Sequence, residues 1–212
     1  MEEILDLYAK APDPDEPLIA MDESSVQLLK HVHEPLPARP ATQDHRATPK
    51  RVDDQYERNG TRALFMFFAP HQGWRRVTSS EHRTKQDWAE QIKQLLDEDF
   101  PNARRVHLVC DNLNIHSDSS LYERFTPEEA HRLKQRLVIH YTPRHGSWLN
   151  IAEIELSVMT RQCLDRRLGD VSELDRELGV WNAARNQERC GLNWQFTTAD
   201  ARVRLRHLYP PV

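Results

Sequence analysis

Two short apolar runs in this chain end abruptly at an acid. Pro17-Leu-Ile-Ala-Met21 gives way to Asp22, and Val106-His-Leu-Val-Cys110 gives way to Asp111. A nearly all-apolar run of this length suits a strand buried on both faces of a sheet, so each acid stands where a buried strand meets its loop. A third acid, Glu153, follows shortly after a Pro- and Gly-containing loop, inside Trp148-Leu-Asn-Ile-Ala-Glu153 at the start of a helical pattern. Two strand ends and a helix start are thus expected to bring carboxylates together.

Carboxylates gathered without a cation repel and raise one another's pKa values, so such a cluster implies a divalent metal or shared protons. Hard cations take oxygen ligands, and phosphoryl transfer needs cations to activate the attacking oxygen and stabilise the leaving one. A metal-dependent phosphoryl-transfer site acting on nucleic acid is the reading that follows. Taken singly, each acid reads more often as a turn residue or helix N-cap. The surrounding residues shift the balance. In Cys110-Asp-Asn-Leu-Asn-Ile-His116, Asn112 and His116 are placed to hydrogen-bond metal ligands or substrate from behind. In Tyr141-Thr-Pro-Arg-His-Gly-Ser-Trp-Leu-Asn150 a loop with cations and an aromatic leads into the next helix, a common setting for functional residues.

Glu155 competes with Glu153. Two positions on a helix differ by about 200°, so the two side chains face opposite ways. Asn150, Glu153, Ser157 and Thr160 form a polar stripe, while Leu149, Ala152, Leu156, Met159 and Cys163 form an apolar one. The polar stripe favours Glu153 and leaves Glu155 as a surface or salt-bridge residue.

These residues together resemble a known family. Met21-Asp-Glu-Ser, Asp111-Asn-Leu-Asn-Ile-His, His145-Gly-Ser-Trp-Leu-Asn-Ile-Ala-Glu153 and Leu156-Ser-Val-Met-Thr-Arg-Gln-Cys-Leu164 resemble the catalytic domain of bacterial insertion-sequence transposases of the mariner-related group, DDE-type enzymes with a ribonuclease H-like fold. The likeness extends to Tyr56-Glu-Arg-Asn-Gly60 and Trp194-Gln-Phe-Thr-Thr-Ala-Asp-Ala-Arg202. It implies an enzyme using magnesium or manganese that cuts DNA at transposon ends and joins the freed 3′-hydroxyls to target DNA, working as a homodimer. By position, Asp22, Asp111 and Glu153 match the family's three metal-binding acids. From their own places in the sequence, Asn112, His116 and Asn150 are read as supporting residues, and Arg144, His145 and Trp148, in the loop before Glu153, as DNA contacts, with packing the alternative for Trp148. Family members normally carry helix-turn-helix modules ahead of this domain, whereas here only 1–16 precede the first strand. The expected division is a linker segment over 1–16, a short amphipathic piece followed by acidic Pro-containing chain, and a catalytic domain over 17–212. A catalytically silent remnant that binds DNA or a full transposase is the alternative, and a junction-resolving nuclease with similar acids is a further rival.

Composition adds limits. The longest apolar stretch, Ala63-Leu-Phe-Met-Phe-Phe-Ala69, is far below the roughly 18 residues of a membrane span, and Met1-Glu-Glu-Ile lacks a signal peptide's basic start. Cys110, Cys163 and Cys190 form no CxxC pair, which disfavours a disulfide framework or cysteine zinc site and fits a reducing cytoplasm. The net charge of −4 hides an asymmetry: 1–60 hold 13 acids against 7 Lys or Arg, leaving 20 against 22 in the remainder. Its basic clusters, such as Arg132-Leu-Lys-Gln-Arg136, suit phosphate contacts and solvated helix faces equally well. His31-Val-His33-Glu34 has no third ligand nearby for a tetrahedral metal site. Neither Tyr122 nor Ser147 has the adjacent base a nucleophile needs. Trp74, Trp88, Trp181 and Trp194 read as packing residues.

Periodicity predicts strands at 64–68, 74–78, 106–110 and 137–141, with turns at Asn59-Gly60 and 70–73. It predicts a short helix or edge strand at 26–36, a Pro-rich loop over 35–49, and helices at 84–99, 127–135, 149–164, 172–189 and 197–207. The sum is an α/β fold, a mixed sheet flanked by helices.

Overall fold

The computed structural model describes residues 1–43, 45–144 and 146–209. Five strands form one sheet: β1 (Leu18–His31), β2 (Tyr56–Ala69), β3 (Trp74–Ser80), β4 (Val106–Cys110) and β5 (Leu137–Tyr141), in the order β3-β2-β1-β4-β5. The first three strands pair antiparallel, and β4 and β5 add in parallel beside β1. Among the described residues, seven α-helices surround the sheet: α1 (Glu2–Ala9), α2 (Lys85–Gln94), α3 (Asp118–Arg124), α4 (Pro127–Arg136), α5 (Ala152–Met159), α6 (Val171–Glu188) and α7 (Thr198–Arg204).

Strand alternation divides the core in two. Ala20, Leu64, Met66, Phe68 and Val109 face a layer built from α1, α5 and α6. Ile19, Met21, Phe65, Phe67, Leu108 and Cys110 face Trp88 and Ile92 of α2, Leu121 of α3 and Leu133 of α4. With both faces covered, the central strands have no polar positions to spare, which is why their sequences read as unbroken apolar runs.

Local chemistry sets the helix ends. Thr84 and Asp87 form a reciprocal capping box at the start of α2, whose coil continues as a wider π-helical turn over Leu95–Asp99. Pro127 opens α4 where its missing N–H costs nothing. A second π-helical turn over Thr160–Leu164 prolongs α5.

Several expectations need correction. β1 does not stop near Asp22 to give a separate element at 26–36. It runs unbroken to His31, because β2 satisfies its backbone from Ala20↔Phe68 to His31↔Tyr56. Asn59-Gly60 is not a hairpin turn but lies inside β2, opposite a register shift between Gln27 and Leu29, with Gly60 at φ +90°. The sequence signal of a turn and of a bulge is the same, a residue tolerant of positive φ. The displaced Leu29 N–H donates instead to Leu168 O at 2.8 Å. The 1–16 segment is not all linker: Ile4 and Leu5 of α1 are buried in the core, and the Tyr8 hydroxyl donates to Leu149 O at 2.6 Å. α3 was not foreseen; its seven residues are too few to show a period.

Candidate active site

Parallel pairing between β1 and β4 runs through Leu18↔His107, Ile19↔Leu108 and Ala20↔Val109. β4 then ends at Cys110, while β1 continues with β2 alone. Two residues beyond the last pair on each strand stand Asp22 and Asp111. Asp22 shares the parity of Ala20 and so leaves β1 on the α5 side, while Asp111 stands just past the end of β4, near enough to add its charge to that on Asp22. The cleft lies at the carboxyl ends of parallel strands, where open α/β sheets commonly bind ligands.

The third acid comes from α5. A short 3₁₀ turn, Ser147–Leu149, delivers the chain to Asn150, which is buried. Asn150 Nδ2 donates to Met21 O at 2.9 Å, while its Oδ1 accepts from Ala152 N at 3.2 Å and its main-chain carbonyl from Glu153 N at 3.1 Å. One amide therefore ties the first turn of α5 to the residue preceding Asp22. Glu153 projects from that turn and is exposed. Glu155 points the other way and is 5% exposed, not on the surface, held by Arg75 Nε at 3.0 Å and Arg185 Nη2 at 3.1 Å.

Electrostatics link the acids. Burial, reinforced by the negative charges of Glu23, Glu153 and Asp111, pushes the Asp22 carboxyl up to about 7, although the Glu23 N–H donated to its Oδ1 at 2.9 Å favours the carboxylate. Among the described residues, neither Asp22 nor Glu153 makes an ion pair with Lys or Arg. Uncompensated carboxylates of this kind are the donor set a hard divalent cation takes. The triad is not drawn tight: among the described residues, the ligand-type atoms that all close to within 4.8 Å of one another belong to Glu23, Asp111 and His116.

His116 is fully buried behind the cleft, with Nε2 2.7 Å from Glu23 Oε1 and Nδ1 2.7 Å from Asp111 Oδ1. Nδ1 is also 3.0 Å from the Asp111 carbonyl, which has the better hydrogen-bonding direction. Burial opposes the imidazolium, yet Cys110 and Glu23 beside it hold it well above the ordinary histidine range. Glu23 was missed by sequence reasoning. The available signal was its place next to Asp22 in a strand, which sends it to the opposite face.

The remaining residues from the sequence reading are placed as follows. Asn112 is exposed beside Asp111, and Arg144 is exposed in the loop before α5. Trp148 is 39% exposed and stacks on Trp194 with ring centroids 6.2 Å apart, with Phe196 edge-on at 5.6 Å. His145 lies outside the described residues. Trp88 and Trp181 are core residues, while Trp194 is half-buried and Trp74 packs edge-on against Phe100. A separate cavity lined by Leu7, Pro17, His71 and His107 shares no wall with Asp22, Asp111 or Glu153.

A family model described as DDE superfamily endonuclease matches residues 17–175. The chain belongs to this family. The fold of this DDE endonuclease is also that of solved transposase structures, the ribonuclease H-like fold. It aligns with the Mos1 mariner paired end complex with Mn at TM-score 0.56 and with the Mos1 strand transfer complex at 0.57, each at 13% identity and over 89% of this chain. The Mos1 paired-end complex with left transposon end gives 0.55. The DDE endonuclease chain spans about half the length of these proteins, covering 54%, 53% and 55% of them. No curated protein sequence matches it. No helix among the described residues is long and apolar enough to cross a membrane.

Proposed function

We propose that this chain is the catalytic domain of a transposase, cleaving DNA strands and transferring the resulting 3′-hydroxyl during movement of an insertion sequence. What supports the reading most is that Asp111 and Glu153 lie near enough to Asp22 for their charges to raise its carboxyl, while among the described residues neither Asp22 nor Glu153 has a Lys or Arg partner. Supporting it, the structures it resembles are transposase complexes, one of them with Mn.

In this reading Asp22, Asp111 and Glu153 hold Mg²⁺ or Mn²⁺, which when bound activates the attacking oxygen and stabilises the leaving oxygen. Asn150 keeps α5 in register with Asp22, and His116 and Asn112 flank Asp111. Arg144, His145 and Trp148 contact the DNA beside the cut, the cations through phosphate and Trp148 through its exposed ring. The folded unit is proposed to include α1 as well as 17–212, because α1 fills the core beneath α5. Transposon ends and target DNA are the proposed partners, a homodimer the active assembly and the cytoplasm the setting, which suits the three free cysteines.

Manganese-dependent nicking of supercoiled plasmid tests the reading. Nicking by the wild type that disappears with Asp111→Asn and with a chelator supports it, and joining of a 3′-hydroxyl end to plasmid separates a transposase from a resolving nuclease. No nicking, together with no rise in Tm on adding Mn²⁺, favours a silent remnant that binds DNA or a full-length relative.

A further inference from the structure

Glu23 and His116 are unlike the rest of the core. Their side chains are 1% and 0% exposed, at the heart of an apolar layer. Burying such a pair is costly unless its geometry is good, and replacing it with apolar residues is often neutral or favourable. Here the second oxygen of Glu23 has no hydrogen-bond partner among the described residues, and neither has Asp111 Oδ1, whose 2.7 Å approach to His116 Nδ1 is a charge contact. Stability is therefore a poor explanation for the pair.

Its geometry suggests another. β1 sends Asp22 to one face and Glu23 to the other. The loop after Asp111 turns back under the sheet, so that the His116 ring fills the gap between Glu23 Oε1 and Asp111 Oδ1, 2.7 Å from each. That loop is pinned at three further points: Tyr141 Oη donates to His116 O at 2.5 Å, His116 N to Leu113 O at 2.9 Å, and Ser120 Oγ to Ile115 O at 2.7 Å. Trp88 lies 5.8 Å from the ring, centroid to centroid. The ring has no room to swing away, and both nitrogens face acceptors.

We infer that Glu23 and His116 are positioning residues: buried Glu23 fixes the imidazole, and the imidazole, hydrogen-bonded through Nδ1 to the Asp111 carbonyl and in ion-pair contact with its Oδ1, sets the carboxylate so that its other oxygen faces the cation. This rests on the metal reading above. Outer groups that orient a ligand commonly contribute roughly 10–100-fold in metal affinity.

The test is calorimetric titration of the intact chain with Mn²⁺, beside apo melting curves. In His116→Gln the amide nitrogen takes the place of Nε2, keeping the Glu23 bond and losing Asp111. In His116→Asn it takes the place of Nδ1, keeping Asp111 and losing Glu23. Positioning predicts wild type tightest, Asn intermediate and Gln weakest, about 10-fold or more below wild type. Loss of a nearby positive charge by itself would make both variants bind Mn²⁺ more tightly, and a merely structural histidine would lower apo Tm without ranking their affinities. Affinities equal to or above wild type in both variants overturn the inference. Glu23→Gln supplies an arm that does not depend on replacing the ring: its effect should vanish in the His116→Gln background, and full additivity would show Glu23 acting directly on the cation and overturn the inference. Should wild type and Asp111→Asn alike fail to bind Mn²⁺, the metal reading itself falls, an outcome distinct from the others.

Discussion

Glu153 and Glu155 leave the same turn of α5 in opposite directions and meet opposite fates. Glu155 enters the protein, where Arg75 and Arg185 neutralise it and Arg75 in turn reaches the Cys190 carbonyl, joining β3, α5 and the end of α6. Glu153 stays at the open cleft with Asp22 and Asp111 and adds to the charge that burdens Asp22. One carboxylate is satisfied by the fold and the other is left for something outside it. On the proposed reading, the difference separates a residue the native state depends on from one whose charge serves a bound cation.

That contrast can be broken experimentally. The largest effect is on activity: Glu153→Gln should reduce Mn²⁺-dependent plasmid nicking by on the order of 100-fold or more, the several kcal/mol a well-held cation supplies. Its unfolding free energy should stay within about 0.5 kcal/mol of wild type, as for other exposed positions. Glu155→Ala should behave in reverse, losing roughly 3–5 kcal/mol in urea denaturation because two arginines are left without their partner. If Glu155→Ala proves as stable as wild type, the contrast drawn here is wrong.

A smaller effect concerns Asp22 itself. Its carboxyl titrates near 7 when folded, above the ordinary 3.8, so the native state binds a proton that the unfolded chain has released. The penalty is absent below pH 4, grows as pH rises and is complete above pH 7. Asp22→Asn should therefore stabilise the metal-free protein by up to about 4 kcal/mol at pH 8 and by almost nothing at pH 4. Melting curves across that range check it, and equal shifts at both ends would remove the acidic cluster as their cause. Smallest of all, Trp148→Ala should cost about 1 kcal/mol of stability from its packing on Trp194 and Phe196, with weaker binding of single-stranded oligonucleotide in a fluorescence titration. Unchanged oligonucleotide binding would reduce Trp148 to a packing residue.

The sequence determined the elements whose burial is complete or whose ends are chemically marked. β4 and β5 stand at their expected residues because each is a short, mostly apolar run, and β4 is largely buried in mid-sheet. α2 and α4 start where Thr84 and Pro127 mark them. That Glu153 and Glu155 face opposite ways likewise came from period alone, since an α-helix has only one way to separate two positions. What the sequence could not decide was pairing. That β1 runs on to His31, that Asn59-Gly60 is a bulge and that α1 belongs to the core all depend on partners distant along the chain, which local propensity does not see. The meeting of Glu23, His116 and Asp111 is of the same kind: the parallel register of β1 and β4 and the fold of one loop place residues 93 positions apart at hydrogen-bonding distance. Side-chain types and their faces are written locally, whereas the distances between them are set by how the strands pack, and only the tertiary structure supplies those.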